Sequence, residues 1–167
     1  GNNALWNAKF SELVIPATVE LIPADFYSKS SLKKITVDEE NKVYSSDDKG
    51  VLYNKDKSEL IKYPQSATAL SFTAPESTAT IKKSAFDNNI NITTVVLSNV
   101  ATIEDSAFYN CSKLSEINLG RKVTYIGADA FNSTASLSKV TISDNIEFIG
   151  NNALWNAKFS ELVIPAT

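Results

Sequence analysis

The side chains able to do chemistry are few in this sequence, and their types limit which chemistry is open to it. There is no histidine among the 167 residues, which removes the commonest general base and metal ligand. No Ser–His or Cys–His nucleophile pair can form. Cys111 is the only cysteine, so no internal disulfide is possible, and a single thiol is compatible with export. It falls where matched segments carry Ala157, Thr134 or Asn89, which reads as a small buried residue. Asp38, Glu39, Glu40, Asp47 and Asp48 are the candidate cation ligands. Their spacing does not fit an EF-hand loop, and a solvated acidic loop accounts for them. Glycine occurs only 5 times, without a phosphate-cradling motif. The expectation is a protein that is not an enzyme, with no catalytic residue, no cofactor and no metal site.

Formal net charge is −3, and no basic stripe is present, so nucleic acid is not an expected partner. No apolar run approaches the roughly 20 residues of a membrane span, so no membrane insertion is expected within this segment. Asn91, Asn110 and Asn132 head triplets that match the N-glycosylation acceptor pattern.

What positions these residues is a repeat. Residues 107–129 and 130–152 are two copies of one 23-residue pattern. Apolar residues recur at Ala107/Ala130, Phe108/Phe131, Leu114/Leu137, Ile117/Val140, Leu119/Ile142, Val123/Ile146 and Ile126/Ile149, and Gly127 and Gly150 close the units. Further units start at Ala4, Phe26, Ala85 and Ala153. A fixed period in this range is the signature of a solenoid. Each short strand buries its inner face only by stacking on the next copy. The expected inward ladder runs Leu13, Ile35, Phe72, Val95, Ile117, Val140 and Leu162. Segments 92–97, 114–119 and 137–142 are expected to be adjacent parallel strands, and the Ala-Phe-x-x-Cys segment a tight helical turn.

Alternation then points the intervening residues outward. They form two rows that include Glu12, Lys34, Thr94, Glu116 and Lys139 in one and Val14, Thr36, Val96, Asn118 and Thr141 in the other. Charge pairing within the sheet explains Glu12 beside Lys34, and Lys139 between Glu116 and Glu161. A mixed-polarity binding ladder is the sharper reading of these ten residues, which are the candidate binding site. Residues 38–68 interrupt the pattern with three β-like runs, at Val43-Tyr44, 50–53 and 60–63, and a turn-rich 54–58 segment. This reads as an inserted β-hairpin preceded by a short strand.

At these residues the chain resembles the leucine-rich repeats of the BspA-like family. Phe108, Cys111, Leu114, Ile117, Leu119, Val123, Ile126 and Gly127 carry the match, with Gly120 in place of a proline. The insert 50–64 is similar to the hairpin common in that family. The resemblance implies a β-rich solenoid over residues 1–167, with 22–23-residue coils, a parallel sheet on one face, short helical turns and the 38–68 hairpin. It also implies an extracellular or cell-surface location and adhesion to a protein or cell-surface ligand. The family has no shared catalytic motif.

One feature is of another kind. Residues 150–167 repeat residues 1–18 identically, so Gly150 restates Gly1 at an interval of 149 residues. Tandem copies, natural or engineered, give this identity. The chain is accordingly read as one window on a longer array, with neighbouring copies end to end as partners. The competing function is then a structural spacer in a stalk or fibre. The two identical stretches are expected to share one conformation, and Leu162 and Ile164 to form an uncapped apolar edge.

Overall fold

A computed structural model describes residues 9–23, 26, 31–141 and 144–158. Its strands are, in chain order, β1 (Glu12–Ile15), β2 (Lys34–Val37), β3 (Tyr44–Ser46), β4 (Leu52–Asn54), β5 (Glu59–Lys62), β6 (Ser71–Thr73), β7 (Thr80–Ile81), β8 (Thr94–Val96), β9 (Thr102–Ile103), β10 (Glu116–Asn118), β11 (Tyr125–Ile126), β12 (Lys139–Thr141) and β13 (Phe148–Ile149). Each regular coil lays one strand in a first sheet, turns, lays a two-residue strand in a second, and turns back. The first sheet is β6-β8-β10-β12, all parallel, with Phe72, Val95, Ile117 and Val140 in register. The second continues through β7-β9-β11-β13, with Ile81, Ile103, Ile126 and Ile149 in register. The expected parallel strands at 92–97, 114–119 and 137–142 are therefore present, with shorter pairing. Phe72, Val95 and Ile117 are buried, and Val140 is partly buried against the same core. Burial of each such side chain contributes about 1.5–3 kcal/mol.

The Ala-Phe corner departs from expectation. No helix occurs among the described residues. The N–H groups of Ala85, Asp87 and Asn89 donate three residues back, to Lys82, Ser84 and Phe86. Those of Ser84, Phe86 and Asn88 instead donate to Asp105, Ala107 and Tyr109 of the next coil. Ser84 and Asn88 have φ of 57° and 56°, and Ser106 and Asn110 repeat this at 56° and 55°. Two left-handed residues four apart break a right-handed helix. They turn every second N–H along the solenoid axis, where the neighbouring coil accepts it. Phe86, Phe108 and Phe131 stack above one another from these corners, with centroids 4.6 and 5.1 Å apart. Ala85, Ala107, Ala130 and Ala153 pack inside.

The inward ladder is interrupted between Ile35 and Phe72, because β1 and β2 form a separate two-stranded sheet. The insert takes the edge of β2 that faces away from β1. Ile35 N–H donates to Gly50 O at 3.0 Å, and Val37 N–H to Ser46 Oγ at 3.0 Å. Gly50 has φ +79°, and a Cβ there would lie 2.5 Å from Lys34 Cγ, so this close approach requires glycine. β3, β4 and β5 are antiparallel neighbours, and β5 is also parallel to β7. The second strand of the hairpin thus doubles as a solenoid strand. Two apolar cores result, one around Ile35 and Leu52 and the other running from Val51 to Ala153.

Candidate functional site

Alternation along the first sheet places the predicted outward residues as two patches rather than one ladder. On β1 and β2, Glu12 lies opposite Lys34 and Val14 opposite Thr36, all four exposed, with Val14 at 66%. On β8, β10 and β12, Thr94, Glu116 and Lys139 share one register, and Val96, Asn118 and Thr141 the next. Lys139 Nζ meets Glu116 Oε1 at 2.5 Å, with side chains 67% and 41% exposed, so this pair adds little to stability. Thr94 and Val96 are half-buried and Asn118 is exposed. The insert separates the two patches. Glu161, Leu162, Ile164 and the rest of 159–167 lie outside the described residues, as do residues 1–8, so the two 18-residue stretches share a described position only at Lys9 and Lys158 and their expected shared conformation is not part of this geometry.

This geometry is that of a stacked repeat presenting an outer β surface. The family model for the BspA type leucine rich repeat region matches residues 1–71 and 65–161, in 6 copies. The chain belongs to the BspA-type leucine-rich repeat family. It is similar in structure to the pneumococcal vaccine antigen PcpA, with TM-score 0.71 and 25% identity over 95% of this chain and 48% of that one. It also resembles a leucine-rich repeat protein from Eubacterium ventriosum (TM-score 0.68, 21% identity, 97% of this chain and 67% of that one). A leucine rich cell surface protein from Faecalibacterium prausnitzii gives TM-score 0.66 and 24% identity, over 91% of this chain and 48% of that one. The last two likenesses speak to fold alone. The chain spans about half the length of PcpA. None of the curated protein sequences compared matches it.

The BspA-type coil also explains the isolated reactive groups. Cys111 is fully buried, its Sγ faces Phe86 O at 3.0 Å, and burial pushes its thiol far above the ordinary value. Asn89 and Thr134 are equally buried at the matching positions. Asn89 spends its amide on Pro64 O and on the N–H groups of Asn91 and Ile92. The acidic loop is used locally. Asp38 Oδ1 accepts from Glu40 N–H, Asp47 Oδ1 from Val51 N–H, and Asp47 Oδ2 from Tyr53 Oη–H. Among the described residues, no group of three or more His, Cys, Asp or Glu side chains is placed to hold a metal ion. No helix of the described residues is long and apolar enough to cross a membrane.

A charged cluster that pattern reading did not single out lies where the insert rejoins the solenoid. Tyr63 N–H donates to Ala85 O as Phe86 N–H does to Ala107 O. Lys62 and Tyr63 therefore stand where later coils carry Ala-Phe. The Lys62 side chain is 1% exposed. Its Nζ lies 2.5 Å from both Asp87 Oδ1 and Ser84 O, and Gln65 Nε2 reaches Asp87 O at 3.0 Å. Tyr63 stacks on Phe86 at 4.7 Å and extends the aromatic column into the insert.

Tyr53 and Tyr63 are buried beside Asp47. Burial first, then the Asp47 charge, raises both phenols above their ordinary 10.0. A folded pKa above the unfolded one leaves stability whole below that value and removes it as pH rises beyond it. Unfolding temperature should therefore hold steady up to about pH 10 and fall above it. Ultraviolet titration should show two tyrosines ionising only as the chain unfolds. Free titration of all six tyrosines in the folded state would contradict this.

Proposed function

We propose that this segment is an extracellular or cell-surface binding module, and that it adheres to a protein or cell-surface ligand through the outer face of the first sheet. The observation that carries this is the register of β8, β10 and β12. It aligns Thr94, Glu116 and Lys139 beside Val96, Asn118 and Thr141 on consecutive coils. Such a row offers alternating charge, hydroxyl and apolar contacts at the strand spacing of about 4.8 Å. The likeness to a vaccine antigen supports the location. Nothing in the family's repeat supplies a nucleophile or acid–base pair, so the role is binding without turnover.

The test is adhesion of beads coated with the chain to an epithelial monolayer. Exchanging the charges as Glu116→Lys with Lys139→Glu keeps the internal pair, and hence the fold, while inverting the pattern shown to a ligand. Adhesion should fall about tenfold or more, the equivalent of 1.4 kcal/mol. Undiminished adhesion by the exchanged chain would remove this face from the function.

The 149-residue interval between Gly1 and Gly150 supports a second reading, a spacer built from tandem copies. A period contains six coils, starting at residues 4, 26, 62, 85, 107 and 130. At about 4.8 Å per coil, each added period should lengthen a rod by about 29 Å. Small-angle scattering from chains of one, two and three periods measures this directly. A length that does not grow in equal steps excludes a continuous solenoid spacer.

A further inference from the structure

We infer that the outer face of the second sheet carries a platform for a neutral carbohydrate, separate from the first-sheet face. The outward residues of β7, β9, β11 and β13 are Thr80, Thr102, Tyr125 and Phe148, in one register. Tyr125 and Phe148 are 37% and 48% exposed, and their rings stack with centroids 4.8 Å apart and planes 10° apart. A lone exposed aromatic needs no explanation, whereas two in contact form a contiguous apolar ridge on a regular surface.

The flank of this ridge is low for a structural reason. The adjoining outward row follows the register of Ile81, Ile103, Ile126 and Ile149, and so reads Lys82, Glu104, Gly127 and Gly150. In the earlier coils Lys82 and Glu104 pair at 2.7 Å and cover the surface beside the threonines. Beside the rings the same row holds Gly127 and Gly150. A Cβ at Gly127 would lie 2.5 Å from Asp105 N, and one at Gly150 2.4 Å from Ala128 N. Close coil contact therefore keeps the row free of side chains of its own at Gly127 and Gly150, and beside Gly127 it is the Asp105 carboxylate that borders the ridge, accepting from Ala128 N–H at 2.8 Å.

The surroundings are polar. A depression of about 140 Å³ is lined by Tyr125 with Lys83, Glu104 and Asp105. Another, of about 540 Å³, begins at Thr124 and Glu147, the residues just before the two rings, and includes Arg121, Asp144 and Asn145. Protein hot spots are enclosed, desolvated apolar pockets, and these depressions are neither. Nucleic acid would require an excess of cations, but carboxylates at least match ammonium and guanidinium groups here. A ridge of apolar rings bordered by charge-balanced carboxylate, amide and hydroxyl groups matches an uncharged pyranose. Its C–H face lies on an aromatic ring, and its hydroxyls exchange hydrogen bonds with planar polar side chains.

The experiment is affinity electrophoresis of the whole chain through gels containing dextran, laminarin or mannan, with heparin as an anionic comparator. At least one neutral polysaccharide should retard the chain, with little change over an about tenfold rise in salt. Tyr125→Ala and Phe148→Ala should each weaken retardation about tenfold at unchanged unfolding temperature. Tyr125→Phe should keep it, and the Glu116→Lys/Lys139→Glu exchange on the other face should leave it untouched. No retardation by any neutral polysaccharide overturns the proposal. So does retardation by heparin alone, or equal retardation of the alanine variants. Because the exchange variant tests only the first sheet, failure of either face is read separately from the other.

Discussion

Asp87→Ala should lower the free energy of unfolding by about 3–5 kcal/mol, the range for breaking a buried ion pair from one side. Lys62 enters the core where the repeat otherwise places alanine, and its side chain is 1% exposed. Removing Asp87 takes away the carboxylate that lies 2.5 Å from its Nζ, and a buried cation that loses an ion-pair partner weakens the folded state. The reverse change is gentler. Asp87 is more open, at 12%, and keeps donors from Gln65 and from Asn88 Nδ2. Lys62→Met replaces the stem by an apolar chain of similar length and should cost about 2 kcal/mol or less. The double variant Lys62→Met/Asp87→Leu, which removes both charges, should be more stable than Asp87→Ala alone. Denaturant titrations of the three chains give the comparison. A loss below about 1 kcal/mol for Asp87→Ala would mean that water reaches Lys62 and that the pair does not anchor the insert.

The cluster shows where sequence reading stopped. The regular coils were legible because Phe86, Phe108 and Phe131, and Val95, Ile117 and Val140, recur at 22 or 23 residues, and nearest-neighbour stacking turns that period directly into register. Lys62 was hidden by its own chemistry, since lysine is almost never fully buried unless paired. Its partner is Asp87, 25 residues away. A signal was present. Tyr63 precedes Phe86 by 23 residues, one coil, but the β-like run around it suggested insert rather than solenoid. The chain in fact needs both, because β5 closes the hairpin and also heads the second sheet. The Tyr125 and Phe148 platform was legible by the same spacing, had the two-residue return strand been given the alternation applied to the first sheet. The expected helical turns failed for a third reason. Local pattern favours bonds within the turn, while Ser84 and Asn88, at positive φ, direct half of the N–H groups to the next coil.

The candidate face on the first sheet depends on the in-and-out alternation of these short strands, and two adjacent residues of β10 test it with very different outcomes. Ile117 is fully buried between Val95 and Val140 of the neighbouring coils. Ile117→Asp inserts a carboxylate among apolar groups that offer it no donor, and loses the packing of the side chain removed. The expected loss is at least about 4 kcal/mol, in the exceptional class of single substitutions. Asn118 is exposed, and its Oδ1 accepts from Gly120 N–H at 2.9 Å. Asn118→Asp keeps that acceptor and adds a charge already in water, so the change should stay within about 0.5 kcal/mol. Because solenoid coils support one another only through nearest neighbours, the Ile117 defect should open coils on both sides. Hydrogen exchange should then quicken at Val95 and Val140 together, while the amides of β4 and β5 keep their protection. Similar losses for the two variants in denaturant titration would place Asn118 in the core. The rows Thr94-Glu116-Lys139 and Val96-Asn118-Thr141 would then cease to be a surface that any partner could reach.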